Sequence, residues 1–394
     1  MQFIWASITA TLILTTLFGS AANGQTPMLE AANDENLNPQ PRIVAVGDIH
    51  GDFDRFVEVL KSTGIINKKN KWSGATDTLV QVGDSTDRGP DSRKAIDLLR
   101  KLKKQAAKAG GRVEVVIGNH EVMNLTGDLR YVHPGEYKAF KDSYSKKRLD
   151  AYYKQTVAAL KAAAPEAEDF KLGKDHRKQW NARFPLGYVA HRLAWDPSGE
   201  YGKWVISNSA VVKVGKAVFV HGGISSKYVD MSLSDLNTRV RTELADPNAF
   251  TESAIIDDVD GPFWYRGWAT LAETADNEAA LDEILQNLGV ERMVIAHTPL
   301  VNTILPRFGG KVLMVDVGMS AYYGGANAAL ELVGEKAYAL ISGQRVELPA
   351  SQDGVLDYLD KAARLVDNDT KILAYREKLI AERNSLSNFK RSAK

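Results

Sequence analysis

The segment RIVAVGDIHG, residues 42–51, joins a short apolar run to a cluster of polar side chains directly behind it. The same arrangement recurs in TLVQVGDSTDRG, residues 78–89, and in VEVVIGNHE, residues 113–121. Runs that are apolar at nearly every position are typical of strands buried on both faces of a parallel sheet. The sequence therefore predicts three short buried strands, each ending in polar residues.

Helical patterns separate these predicted strands. Residues 54–61 carry apolar side chains at helical spacing, and a second helix is predicted to begin at Pro90 and to end at Gly110-Gly111. Strand and helix in alternation are typical of βαβ units, which connect parallel strands by a right-handed crossover. An α/β fold follows from this rhythm.

The remainder of the chain extends the pattern and then changes character. Residues 216–220 and 292–296 repeat the strand followed by a polar loop, and the later segments predict a β-meander and two amphipathic helices. The predicted meander strands are 328–333, 337–342 and 345–348, and the predicted helices are Val355 to Leu365 and Lys371 to Asn384.

The stretch between Asn124 and Lys203 interrupts the strand rhythm. It is rich in Lys, Arg, Tyr and Trp and has a helical pattern from Tyr137 to Ala164, so we interpret it as an insertion packed beside the site. Its histidines are expected to be structural or solvated, and three of its residues are candidates for lining a substrate groove. The histidines are His133, His176 and His191, and the groove candidates are Arg130, Tyr131 and Lys138.

Composition limits the classes of function. The 394 residues include 44% hydrophobic and 25% charged residues, which is ordinary for a globular protein. The formal net charge of +1 lacks the basic excess that non-specific nucleic-acid binding requires. The absence of cysteine excludes disulfides, thiolate metal sites and cysteine nucleophiles. Any metal must therefore be bound by His, Asp, Glu, Asn or water.

The first residues have the pattern of a secretory signal. Residues 3–18 form an uncharged apolar run that a small-residue stretch follows, and this predicts a signal peptide over about 1–24. The alternatives are an uncleaved anchor or a buried helix. We expect an exported protein, periplasmic or secreted, without stable membrane insertion after cleavage, and a polar linker over 25–41.

The polar clusters at the strand ends point to metal chemistry. In open α/β sheets the carboxyl ends of the strands line the ligand crevice, so residues far apart in the chain can converge there. A lone His or Asp after a strand is usually a turn residue, but five such clusters flanked by glycine favour a built site. Carboxylate, amide and imidazole groups of this kind suit a pair of divalent metals. The converging residues are Asp48, His50, Asp84, Asn119, His221 and His297.

These motifs resemble those of a known family. GDIHG, GDSTDRG, GNHE, the HGG of 221–223 and His297-Thr298 are similar to the motif series of the calcineurin-like metallophosphoesterases, in particular the phosphoprotein phosphatases. The segments GPFWYRG, 261–267, and VDVGMS, 315–320, resemble the bacterial-type Shewanella-like phosphatases. One departure is SAYYGG, 320–325, which stands where the eukaryotic enzymes carry their SAPNYCGEF-type loop and leaves substrate preference open.

The resemblance implies a fold and a domain layout. The fold is an α/β sandwich of two mixed β-sheets flanked by helices, with an α-rich insertion. The expected layout comprises a signal peptide and linker, one metallophosphoesterase domain with its insertion, and C-terminal helices with a tail. The signal peptide spans 1–24, the linker 25–41, the metallophosphoesterase domain 42–348 with the insertion at about 125–203, and the C-terminal helices and tail 349–394.

The resemblance also implies ligand roles. Asp48 and His50 are expected to bind the first metal ion and Asp84 to bridge to the second. The shell of the second ion is completed by Asn119, His221 and His297. The cofactors are two divalent ions, with Mn2+, Fe and Zn2+ as the alternatives. A hydroxide bridging the two ions is expected to attack phosphorus directly.

Four further residues carry the remaining expected roles. His120 is expected to protonate the leaving group, with Asp87 orienting it, while Arg88 and Arg266 bind the phosphate oxygens. The alternative for Arg266 is stacking on the neighbouring aromatic residues. Glu121 is expected to have a supporting role.

The expected function is that of a metal-dependent phosphomonoesterase acting on phosphorylated side chains or small phosphomonoesters. One alternative with the same fold is a phosphodiesterase or dinucleoside polyphosphate hydrolase. Another is a non-catalytic module that binds phosphorylated ligands. Expected partners are phosphorylated proteins or small phosphomonoesters, without nucleic acid.

Overall fold

A computed structural model describes residues 42–163, 175–246 and 254–392. The predicted signal peptide and linker lie outside the described residues, as does Ala164 at the end of the predicted insertion helix. Among the helices in the described ranges, none has the length and apolarity that crossing a bilayer requires.

The first sheet has six strands in the order β11-β10-β9-β1-β2-β3. Strands β1, β2 and β3 are parallel, and the antiparallel meander β9 to β11 joins them through β1, with Ile43 opposite Leu332. The strands are β1 (Ile43–Val46), β2 (Thr78–Gln81), β3 (Arg112–Val115), β9 (Ala328–Val333), β10 (Lys336–Ile341) and β11 (Gln344–Glu347).

The second sheet has five strands in the order β4-β5-β6-β8-β7. Its three central strands are parallel, and an antiparallel strand lies at each edge. Apolar side chains from both sheets belong to one continuous core. The strands are β4 (Val211–Val214), β5 (Ala217–Val220), β6 (Arg292–Ile295), β7 (Leu305–Arg307) and β8 (Val312–Met314).

Thirteen α-helices lie in the described part of the chain. Five of them, α4 to α8, occupy the segment predicted as an insertion. The helices are α1 (Phe53–Ser62), α2 (Ser92–Ala109), α3 (Asn119–Thr126), α4 (Pro134–Ala139), α5 (Ser145–Ala163), α6 (His176–Arg183), α7 (Tyr188–Trp195), α8 (Glu200–Ser207), α9 (Leu233–Ala245), α10 (Gly267–Thr270), α11 (Ala275–Leu288), α12 (Val355–Leu365) and α13 (Thr370–Ser392).

The predicted fold class is confirmed: two mixed β-sheets with flanking helices. The sequence patterns did not predict β4, β7 or β8. Strands β7 and β8 have three residues each, and β7 contains Pro306, which is tolerated because this strand is at the sheet edge. Helix α2 begins at Ser92, two residues after the predicted start, and ends at Ala109, where Gly110 caps it with a φ of 80°.

The insertion helices pack through aromatic rings. His191 is fully buried between Tyr137 and Phe140, with ring centroids 5.2 Å from each, and burial followed by the charge of Arg192 lowers its pKa to about 3. His133 accepts a hydrogen bond from Gly135 N at the start of α4. Both histidines therefore have structural contacts.

The carboxyl ends of β1 and β8 meet closely at Gly47, which lies between β1 and Asp48. A Cβ added at Gly47 would lie 2.3 Å from the carbonyl oxygen of Val315 and 2.9 Å from the Cα of Asp316. No real side chain fits this gap unless the backbone moves. Glycine at this position therefore lets an end of the first sheet contact an end of the second.

We expect Gly47→Ala to lower the free energy of unfolding by about 3 kcal/mol or more, because the added methyl group overlaps backbone atoms. Gly64→Ala is the matched control: Gly64 has a φ of 76° and no atom within 4 Å of an added Cβ. The control is expected to cost only the left-handed backbone penalty of about 1–2 kcal/mol. Denaturant unfolding of both variants measures the difference, and equal losses would contradict a close approach at Gly47.

Candidate functional site

Strained loops at the strand ends present the site residues. Positive backbone φ angles are uncommon for residues other than glycine and cluster at functional sites. Here they occur at five residues around the sheet ends, with values from 48° to 71°. The residues are His50, Asp84, Asp87, Arg88 and His297. The loop after β1 is tied to the loop after β2 because both Ile49 N and His50 N donate to the carbonyl oxygen of Asp84, each at 2.9 Å.

The carboxylate of Asp84 is at the centre of the site. Its Oδ2 lies 3.3 Å from His221 Nε2, 3.8 Å from His120 Nε2 and 3.9 Å from His50 Nε2. Two groups of three ligand atoms, each within 4.8 Å of one another, share Asp84. One comprises His50, Asp84 and His120, and the other comprises Asp84, His221 and His297.

The two remaining predicted ligands border these groups. Asp48 Oδ2 lies 3.5 Å from His50 Nε2, and its Oδ1 accepts a hydrogen bond from His297 N at 3.3 Å. Asn119 Oδ1 lies 3.0 Å from His221 Nε2. The structure therefore brings all six residues predicted as metal ligands together, and all six are buried.

Backbone carbonyls fix the orientation of two imidazole rings. Nδ1 of His221 donates to the carbonyl oxygen of Val82 at 2.8 Å, and Nδ1 of His50 donates to that of Thr86 at 3.2 Å. A carbonyl oxygen only accepts, so the Nε2 atoms of both rings are directed toward the carboxylates. This is the orientation in which metal-ligating histidines are held.

The site needs a cation among its acceptors. His221 Nε2 faces the oxygens of Asn119 and Asp84, and these contacts are favourable only when a proton or a metal ion lies between them. Burial lowers the pKa of His221, but the carboxylates of Asp84 and Asp48 outweigh it and raise the pKa to about 10. A bound metal ion would replace that proton.

Two other groups have the charge states that a metal site requires. Burial raises the pKa of Asp84, but the nearby His221 and His120 outweigh it and hold the pKa well below its usual range. Burial and then the neighbouring His221 lower the pKa of His297, which keeps this imidazole neutral. His297 Nε2 is buried and has no hydrogen-bond partner among the described residues. The donor set therefore fits divalent metal ions.

His120 and Asp87 form a buried pair beside this centre. His120 Nδ1 and Asp87 Oδ2 are 2.7 Å apart, and the other oxygen of Asp87 accepts from Asn124 Nδ2 at 2.8 Å. The pair holds Nε2 of His120 toward Asp84. The sequence motifs predicted the His120–Asp87 pair, but they did not predict the hydrogen bond from Asn124 to Asp87.

Three tyrosine rings surround Arg88. Its guanidinium carbon lies 4.4 Å from the ring centroid of Tyr131, 4.9 Å from that of Tyr322 and 5.3 Å from that of Tyr323. The Nε atom of Arg88 is buried without a hydrogen-bond partner in the described part of the chain. Tyr131, predicted as a groove residue, packs on His120 at 5.1 Å, and Tyr323 packs on His50 at 5.4 Å.

Arg266 lies beside the second group of ligands, the one that contains His297. Its Nη1 donates to the carbonyl oxygen of His297 at 3.1 Å and to Thr298 Oγ1 at 2.9 Å. The contacts that hold it are hydrogen bonds to the last ligand loop. This arrangement places the second predicted arginine next to His297.

Two buried carboxylates complete the site. Glu121 accepts hydrogen bonds from the backbone N–H groups of Asp84, Ser85 and Gly118 at 2.9, 2.6 and 2.8 Å, which gives it the supporting role expected of it. Asp316, which follows β8, lies beside Asp48 and was not predicted as a site residue. The available signal was its place after an apolar run, the same pattern as the other clusters.

Comparison with known proteins agrees with this geometry. Residues 41–300 match the family model described as calcineurin-like phosphoesterase. The chain is 31% identical to Shewanella-like protein phosphatase 2 of Arabidopsis thaliana over 71% of each chain. It is 26% identical to Shewanella-like protein phosphatase 1 of Plasmodium berghei over 73% of this chain and 70% of that protein.

A solved structure shares the fold. The cold-active protein-tyrosine phosphatase of a psychrophilic Shewanella species superposes with a TM-score of 0.59 and 26% identity, over 78% of this chain and 80% of the other. These two relatives and the solved structure, each matching more than two thirds of the chain, are named as protein phosphatases, so a phosphodiesterase or dinucleoside polyphosphate hydrolase is not favoured. The chain is therefore a hydrolase that removes phosphate with a centre of two divalent metal ions. It belongs to the calcineurin-like phosphoesterases, among the Shewanella-like members of the phosphoprotein phosphatases.

Proposed function

We propose that this phosphatase acts on phosphotyrosine side chains of proteins. The observation that carries the proposal is the placement of Tyr131, Tyr322 and Tyr323 around Arg88, beside His120 and His50. An aryl phosphate would place its ring among these side chains while its phosphate meets the guanidinium group of Arg88. The solved Shewanella structure is named as a protein-tyrosine phosphatase, which supports the same preference.

The residues that would hold the metal ions are those predicted from the strand ends. One ion would lie at Asp48 and His50, the other at Asn119, His221 and His297, and Asp84 would contact both. Carboxylate, amide and imidazole donors suit Mn2+, Fe or Zn2+, and the chain has no cysteine to supply thiolate. Bound ions would neutralise phosphate oxygens and supply the nucleophile from water.

The side chains around the ions have distinct tasks. Arg88 and Arg266 approach the site from opposite groups of ligands, so their planar forks would hold the phosphate between them. Asp87 accepts the Nδ1 proton of His120 and thereby fixes Nε2 as the atom that donates a proton to the leaving oxygen. Asn124 holds Asp87 in turn.

The first experiment tests the substrate preference. We expect the ratio of kcat/KM for a phosphotyrosine peptide to that for a phosphoserine peptide of the same sequence to be well above one. In the double variant Tyr131→Leu, Tyr322→Leu this ratio should fall roughly tenfold, because each lost aromatic contact contributes about 0.5–1.5 kcal/mol.

Tyr144→Leu serves as the control, because Tyr144 is 61% exposed and has no contact with Arg88 among the described residues. It should leave both rates unchanged. Equal rates of the unmodified enzyme on the two peptides would refute the phosphotyrosine proposal.

A second prediction concerns the proton donor. His120→Asn should retain both metal ions by elemental analysis, while kcat falls by about 10²–10⁴ on phosphoserine peptide, whose alkoxide leaving group needs the proton. The defect should be smaller on phosphotyrosine and smallest on p-nitrophenyl phosphate, because nitrophenolate leaves almost unaided. Equal defects on the three substrates, or loss of metal, would assign His120 to support or to metal binding instead.

We also infer that the protein is exported, to the periplasm or the medium. The support is the uncharged run of residues 3–18 and the small residues that follow it. When the full chain is expressed in a bacterial host, N-terminal sequencing of the mature protein should begin near Asn23 or Gln25. Soluble cytosolic protein that retains Met1 would show that the segment is not a cleaved signal.

A further inference from the structure

Asp316 is a buried carboxylate beside the metal centre to which the roles above assign no task. It follows β8 and is 3% exposed. Its Oδ1 accepts a hydrogen bond from Gly318 N at 3.1 Å, and its carboxyl group interacts directly with that of Asp48. One oxygen is therefore anchored to the backbone while the group as a whole faces a proposed metal ligand.

The backbone around Asp316 leaves the carboxylate little freedom to move. The Cα of Asp316 lies 2.9 Å from the position of a Cβ added at Gly47, the residue before Asp48. Val315 N also donates to the carbonyl oxygen of Ile295 at 2.8 Å, which continues the pairing of β8 with β6. The backbone segments that carry Asp48 and Asp316 are thus held close together by the sheets themselves.

The charges of this pair are not balanced by a permanent cation. Among the described residues no lysine or arginine forms an ion pair with Asp48 or Asp316, and the nearby groups that can carry positive charge are His50 and His221. Buried carboxylates of like charge destabilise each other unless a cation or a shared proton lies near them.

We propose that Asp316 is a positioning residue of the metal centre, which orients Asp48 and adds a third negative charge that strengthens binding of the cation held by Asp48 and His50. The inference rests on the proposed ligand roles of those two residues. Carboxylates that bind metals are themselves held by neighbouring groups, and loss of such a neighbour typically weakens metal binding 10–100-fold.

Asp316→Asn tests this directly. An asparagine keeps an oxygen for Gly318 N and offers an amide donor to Asp48, but it removes the charge. Calorimetric titration of the metal-free variant with Mn2+ should show an apparent Kd weakened by about 10–100-fold. The Tm of the metal-free variant should stay close to that of the unmodified protein, because the asparagine retains the bond from Gly318 N and a donor for Asp48. A purely structural role predicts the opposite, a lower Tm with an unchanged Kd.

Two further variants complete the comparison. Asp230→Asn removes the same charge from an exposed position and should leave the Mn2+ Kd unchanged. Asp316→Glu keeps the charge on a longer side chain and should recover part of the Mn2+ affinity. If the asparagine variant does not fold, the Mn2+ Kd of the glutamate variant is compared with that of the unmodified protein instead. Failure of the glutamate to recover any affinity would overturn the role of the charge.

The result separates this inference from the proposed function. If the unmodified protein binds no Mn2+, or Asp84→Asn binds it equally well, the proposed ligand set is wrong. If the unmodified protein binds Mn2+ and Asp316→Asn binds it with the same Kd, the ligand set stands and only the role of Asp316 is overturned.

Discussion

The buried carboxylate of Glu121 holds together the two loops on which the site depends. It accepts three backbone N–H groups, two from the loop after β2 and one from the residue before α3. These bonds favour the charged form of a group whose pKa is raised by burial and by the neighbouring Asp84. They also hold Asp84 in its left-handed backbone conformation, with a φ of 56°, at the centre of the ligand groups. The strain in this loop is thus offset by the hydrogen bonds that its N–H groups donate to Glu121 of α3.

Around Asp84 the protein gives His221 and His297 different charge states, although two histidines would titrate alike in water. Asp84 stays anionic, His297 stays neutral, and His221 favours a positive charge near Nε2. Asp84, His221 and His297 thus have charge states that suit metal ligands. His120 differs from them because its Nδ1 is hydrogen-bonded to the carboxylate of Asp87, which suits a proton donor. The two arginines then border the site from different loops, one among tyrosine rings and one beside His297.

The sequence indicated those parts of the fold and site that depend on local patterns. Strands β1 to β3, β5 and β6 lie in largely apolar runs with polar residues behind them, so both the strands and the six candidate ligands were predicted. Strands β7 and β8 have three residues each and were not predicted, so Asp316 was not placed at a strand end although it follows an apolar run. The rings around Arg88 come from segments nearly 200 residues apart, and only the folded chain brings them together. Asn124 was missed because its contact with Asp87 depends on the turn of α3, not on a motif.

The pairing of β1 with both β2 and β9 has a consequence for biosynthesis. β1 leaves the ribosome long before its partner β9, which begins at Ala328. Until that point one edge of β1 has no neighbour, and a nascent chain in this state exposes an apolar strand that other chains can capture. Contacts of such long sequence separation also slow folding, because a large loop must close before they form. The growing polypeptide is therefore expected to rely on chaperones until Ala328–Val333 have emerged, because only then can β1 gain its second neighbour.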